Sequence, residues 1–154
     1  MSVFFFDSSA VTKKYVRETG TAWVINVFRP KSPNRVYIAE IALVEVISAL
    51  TRRHRGRTLT NADFTKVSNR FRRNFAANFF KIETNLSVIE RAAALAERHA
   101  LRGYDAVQLA SAFNLHLRRQ KAGLPPLVFI SADNALNAAA QVEGLQIDNP
   151  NNHP

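Results

Sequence analysis

The sequence predicts an α/β domain built on short, parallel-type strands, and three features carry that prediction. Val3-Phe4-Phe5-Phe6 places four bulky β-formers together without a polar break, the pattern of a brief strand buried on both faces. Similar runs recur at Val36-Tyr37-Ile38-Ala39 and Leu127-Val128-Phe129-Ile130, with helix-like patterns between them. The first run ends on Asp7-Ser8-Ser9 and the last on Ser131-Ala132-Asp133. In an open α/β sheet, ligands collect outside the carboxyl ends of the strands, so both acids are candidate site residues.

The elements follow in order. Residues 2–6 form the first strand. Residues 8–18 alternate apolar Ala10, Val11 and Tyr15 with Lys13, Lys14, Arg17 and Glu18, a helix closed by Gly20 as a C′ glycine. Trp23, Val24, Val27 and Phe28 predict a second helix over 21–28, stopped by Pro30 and Pro33. After the strand at 36–39, residues 41–50 are apolar nearly all round and predict a buried helix with Glu45 in its middle. Residues 51–57 are its basic end, with Gly56 as the stop. Thr60-Asn61-Ala62-Asp63 resembles a capping box opening a helix striped by Phe64, Val67, Phe71 and Phe75. A third strand is expected over 79–82. Ser87-Val88-Ile89-Glu90 reads as another capping box, with Ile89, Ala93 and Ala96 sharing a face. Asp105 opens the next helix, Asp133 opens one reaching Ala140, and Leu145-Gln146-Ile147 is a last strand. No repeat or long linker divides the chain, so residues 1–148 read as one domain and 149–154 as a polar tail.

Composition bounds the function. The 154 residues are 47% hydrophobic and 21% charged, ordinary for a globular protein. No apolar run approaches the roughly 18 residues of a membrane span, and the start lacks the basic region of a signal peptide. The absence of cysteine excludes disulfides, thiolate metal sites and a cysteine nucleophile. A cytoplasmic protein is expected. The net charge of +9 favours a polyanionic partner, nucleic acid before membrane surface.

Four acids stand apart from the solvated ones such as Glu18, Glu90 and Glu97. Asp7 and Asp133 sit at strand ends, Asp105 at a helix start, and Glu45 inside an apolar helix with no basic residue one turn before it. An Asp at a helix start also serves as an N-cap, but a carboxylate in an apolar helix is costly unless paired or bound to a metal. Four converging carboxylates need a cation to stay ionised together, and an all-oxygen set suits Mg²⁺ or Mn²⁺. In a basic protein such a site points to phosphodiester hydrolysis. Ser8, Ser9 and Ser131 are candidate supporting hydroxyls. His54, His99, His116 and His153 are scattered, and the chain carries neither Gly-x-Ser-x-Gly nor a Gly-rich phosphate loop.

The ordered set Phe6-Asp7-Ser8-Ser9-Ala10, Leu43 to Arg52 around Glu45, Asp105 to Ala112, and Ser131-Ala132-Asp133 resembles the PIN-domain ribonucleases, within them the VapC toxins of type II toxin–antitoxin pairs. The resemblance spans almost the whole chain. It implies a three-layer α/β/α fold with a central, mainly parallel sheet. It further implies an endoribonuclease cutting single-stranded or looped RNA, with Asp7, Glu45, Asp105 and Asp133 binding Mg²⁺ or Mn²⁺ and Ser8 near the site. Homodimerisation and a VapB-type antitoxin whose tail enters the acidic groove are likewise implied. Asn134 and Asn137 are neutral where some relatives carry further acids. Glu40 is a second acid near Glu45, whose apolar setting and motif fit favour Glu45.

Arg52, Arg53, Arg55 and Arg57, then Arg70, Arg72 and Arg73, then Arg118, Arg119 and Lys121, are candidate phosphate contacts. The phenylalanines read as core, which leaves no base reader assigned. Two rival readings are a catalytically inactive, basic RNA-binding module of the same family and a 5′-nuclease-like DNase. The first gains nothing from four acids that repel phosphate, and the second needs insertions this length has no room for.

Overall fold

The computed structural model describes residues 2–154, and its centre is a five-stranded, all-parallel sheet in the order β3-β2-β1-β4-β5. The strands are β1 (Val3–Phe6), β2 (Arg35–Ala39), β3 (Phe80–Ile82), β4 (Val128–Ile130) and β5 (Gln146–Asp148). Seven α-helices cover the sheet: α1 (Ser8–Thr12), α2 (Thr21–Val27), α3 (Ala42–Arg55), α4 (Asn61–Ala77), α5 (Leu86–His99), α6 (Gly103–Lys121) and α7 (Asn134–Val142). The predicted three-layer α/β/α architecture is therefore present. Successive side chains of a strand face opposite ways. Phe5 enters one core with Phe129 and helices α5, α6 and α7, while Phe6 enters the other with α1 to α4. Burial on both faces explains why β1 reads as an unbroken apolar run.

The chain runs outward from β1 to β3, then returns to pair β4 with β1 on its other side. That reversal creates a crevice beyond the carboxyl ends of β1 and β4, the place where such sheets bind ligands. Asp7 and Asp133 stand there because β1 ends at Phe6 and β4 at Ile130. The Asp7 amide donates to the Ile130 carbonyl at 3.0 Å, locking the two strand ends together.

Several local expectations change. The helix expected over 8–18 stops at Thr12. Lys13 is buried, and its ammonium donates to Glu18 at 3.2 Å and to the Thr19 carbonyl at 3.0 Å, drawing the chain into turns. Gly20, expected to end that helix, instead starts α2 at φ +84°. A Cβ there would run into the Pro150 carbonyl oxygen. Helix α3 is amphipathic, not buried all round: Ala42, Val46 and Leu50 are buried while Val44 is 59% exposed. In α5, Asn85 is the cap, accepting from the Val88 amide at 3.1 Å, and Val88, Ala92 and Leu95 face the core. The expected stripe of Ile89, Ala93 and Ala96 is one residue out of phase. Strong β-branched Ile89 sits exposed beside the true face. The Thr60 cap of α4 holds as expected, through the Asp63 amide.

The terminal residues form a 3₁₀ turn, Pro150–Asn152, packed on α2. The His153 ring stacks on Trp23 at 4.4 Å and pairs with Asp148 at 2.9 Å. Among the described residues, no helix is long and apolar enough to cross a membrane.

Candidate active site

A groove of about 810 Å³ opens over the β1/β4 crevice, and Asp7, Glu45, Asp105 and Asp133 all line it. Four different elements deliver them. Asp7 leaves β1 as the N-cap of α1, and Asp133 follows β4 as the N-cap of α7. Glu45 and Asp105 lie in the first turns of α3 and α6. Capping and convergence coexist: Asp7 Oδ1 accepts from the Ala10 amide at 2.9 Å, and Asp133 Oδ1 from the Leu136 amide at 2.9 Å. Asp105 is not a cap, because α6 starts one turn earlier at Arg102, which makes no side-chain capping bond.

Serines hold the first acid from both strand ends. Ser9 Oγ donates to Asp7 Oδ1 and Ser131 Oγ to Asp7 Oδ2, each at 2.7 Å. The Ala132 amide in turn donates to Ser9 Oγ at 2.9 Å, and the Asp133 amide to Ser131 Oγ at 3.1 Å. Ser8 serves the second acid, donating to Glu45 Oε1 at 2.9 Å. Gln108, buried on α6, donates through Nε2 to the same Glu45 oxygen at 2.7 Å and contacts Ser8 Oγ at 2.8 Å. Two elements thus fix the Glu45 carboxylate.

The acids repel one another in a chain. Burial pushes the Asp7 carboxyl up to about 6, against the pull of its hydrogen bonds to Ala10, Ser9 and Ser131, and the Glu45 charge raises it further. Burial also raises Glu45, with Gln108 and Ser8 lowering it and the Asp105 charge raising it. Asp105 is raised by burial and then by Asp133, with Arg102 opposing. Asp7, Glu45 and Asp105 each feel the next acid's charge, so a cation among them would ease their ionisation.

The donor set fits a hard divalent ion: four carboxylates with hydroxyls behind them, and neither thiolate nor imidazole among the groove's lining. Among the described residues, no three Asp, Glu or His side chains are gathered tightly enough to cage an ion unaided. Mg²⁺ asks for less than a cage: it would keep several waters, so that one or two of the acids would bind it directly and the others through those waters.

A model of the PIN domain matches residues 4–142. The chain belongs to the PIN-domain family. Ribonuclease VapC45 and Ribonuclease VapC49 of Mycobacterium tuberculosis are each 31% identical to it over 147 residues, spanning 96% of this chain and 95% of theirs. A chain of a toxin–antitoxin complex from Klebsiella pneumoniae has the same fold, with a TM-score of 0.62 at 20% identity, over 96% of this chain and 97% of that one.

The basic residues of this PIN domain divide sharply. Arg52, Arg53 and Arg102 line the groove. Arg52 is exposed and donates to Ser48 Oγ at 2.9 Å, whereas Arg53 is held by Glu18 on the groove wall. Glu18, expected on a plain polar face, instead binds Lys13 and Arg53 together. Arg55 is exposed but lies ten residues, roughly 15 Å of helix, beyond Glu45. Arg118 lies in a separate depression with Glu83, Arg91 and Asn114, at the far end of α6 from Asp105. Arg119 is withdrawn from the phosphate-contact set: it is buried, and its Nε donates to the Pro125 carbonyl at 3.0 Å.

Three other polar residues resolve. Glu40 accepts from the Thr84 amide at 3.2 Å and is not among the groove's lining. Asn137 is buried and donates to the Ser131 carbonyl at 2.8 Å, supporting the β4 turn. Asn134 Oδ1 accepts from Asn149 at 2.9 Å. Gln108 is not picked out as a site residue from sequence alone. Its signal was a polar amide in the run Ala106-Val107-Gln108-Leu109-Ala110, three residues and nearly one turn after Asp105.

Proposed function

We propose that this PIN domain is a Mg²⁺- or Mn²⁺-dependent endoribonuclease that hydrolyses single-stranded or looped RNA in the groove. One observation carries the reading: four carboxylates from four separate elements meet in a single groove, where the charges of Glu45, Asp105 and Asp133 raise the cost of ionising Asp7, Glu45 and Asp105 respectively. The ribonuclease names of relatives at 31% identity support it.

Asp7, Glu45, Asp105 and Asp133 would hold the ion. Once bound, it supplies water activation and neutralisation of the developing phosphate charge. The rest belongs to the protein. Ser9, Ser131 and the Ala10 amide fix the Asp7 carboxylate, and Ser8 with Gln108 fixes Glu45, so the acids need little reorganisation. Arg52 and Arg102, at the groove, offset the acids' repulsion of the RNA backbone. The net charge of +9 draws RNA in over longer range.

In the cell the chain acts as the toxin of a VapBC-type pair, cytoplasmic and homodimeric, with an antitoxin tail closing the groove. The relation to VapC-named proteins and the fold shared with a chain of a toxin–antitoxin complex support this assignment.

The test is cleavage of a structured RNA pool by antitoxin-free protein, alongside Asp7→Asn and Glu45→Gln. Cleavage abolished by EDTA, restored by Mg²⁺ or Mn²⁺, and reduced by at least about a hundredfold in each variant is expected. Folded wild type that binds RNA as well as the variants do and never cuts it would leave a binding module.

A further inference from the structure

We infer that Tyr104 is the stacking platform of the groove, receiving the face of an unpaired base next to the phosphate that the acids address. The inference rests on the ribonuclease reading and adds to it how the substrate is positioned. Among the described residues, Tyr104 is the one aromatic residue lining the groove. It is 57% exposed, so its ring is left to solvent. The core rings are otherwise engaged: Phe5 stacks with Phe129, Phe6 packs on Trp23 and Phe28, and Phe71 on Tyr15. A large ring left open contributes little to folding, and its place beside the acids gives it a different use.

That place is specific. Tyr104 is in the first turn of α6, adjacent to Asp105 and two residues from Arg102, and all three line the groove. A base on Tyr104 therefore belongs to a nucleotide next to the cut, with the Arg102 guanidinium available to a flanking phosphate. Every base has a π-face, so such stacking tolerates sequence. A base inside a duplex is already stacked and has no free face to offer. Tyr104 thus selects single-stranded or splayed-out nucleotides without reading their identity.

The experiment compares wild type with Tyr104→Ala, Tyr104→Phe and Tyr104→Trp on a single-stranded oligonucleotide of known cleavage position. The same oligonucleotide is then scanned with one abasic nucleotide at each place around the cut. Stacking predicts that Tyr104→Ala raises KM about fivefold to a hundredfold with kcat little changed, while Phe and Trp stay near wild type. It further predicts one abasic position, adjoining the cut, at which wild type and Tyr104→Ala become equal. Three results would overturn the inference: Tyr104→Ala cutting like wild type, Tyr104→Phe as impaired as Tyr104→Ala, or a defect that persists at every abasic position. If wild type cuts no RNA, the ribonuclease reading itself fails and this inference with it.

Discussion

Asp7 caps α1 and stands among the groove's acids, and the two roles set different demands on its charge. Its carboxyl is raised from 3.8 to about 6, so the folded chain holds a proton there that the unfolded chain has already lost. Ionising Asp7 in the folded, metal-free protein consequently destabilises it as pH climbs from about 4 to about 6, by up to about 3 kcal/mol. Asn caps as well as Asp does. Asp7→Asn is expected to abolish cleavage and yet stabilise the metal-free fold by roughly 1–3 kcal/mol at pH 7.5, with the gain vanishing near pH 4. Urea unfolding in EDTA at several pH values measures it. A variant less stable than wild type at pH 7.5 would make Asp7 a structural residue. Glu45 and Asp105 are raised too and push in the same direction, whereas Glu143, lowered by His99 and Arg98, loses its contribution only as pH falls further.

At the scale of elements, the loop from α1 to α2 is held by its contact with the end of the chain. Gly20 has φ +84° and abuts Pro150, so Gly20→Ala is expected to cost at least about 1–2 kcal/mol. It should also unseat His153 from Trp23, the only tryptophan, and intrinsic fluorescence would report that directly. Unchanged stability and emission would mean that the terminal turn contributes nothing. The same regions mark what was readable from residues alone. Strands buried on both faces announce themselves as apolar runs, which is why β1 and β4, and with them Asp7 and Asp133, were legible. Glu45 was legible because a charge in an apolar stretch demands a reason. The short α1 was not, because it is ended by Lys13 reaching Glu18 and Thr19, a tertiary preference that local pattern does not carry. The phase of α5 was missed because Ile89 and Val88 are adjacent and equally apolar, and only the packing partner chooses between them. Gln108 and the burial of Arg119 depend on which neighbours the fold supplies.

Across the whole molecule, sheet topology does the assembling: the return of the chain to β4 beside β1 brings residues 7 and 133 together, and α3 and α6 add Glu45 and Asp105 from the two opposite layers. The four acids are proposed to act together as one divalent-ion site. Titrating Mn²⁺ into the metal-free chain, followed by calorimetry or by the ion's paramagnetic resonance, tests it without relying on activity. Binding is expected to weaken in each of Asp7→Asn, Glu45→Gln, Asp105→Asn and Asp133→Asn, and to be unaltered in Glu40→Gln. Mn²⁺ binding that survives all four substitutions, or that is lost only with Glu40, would rule out the shared site.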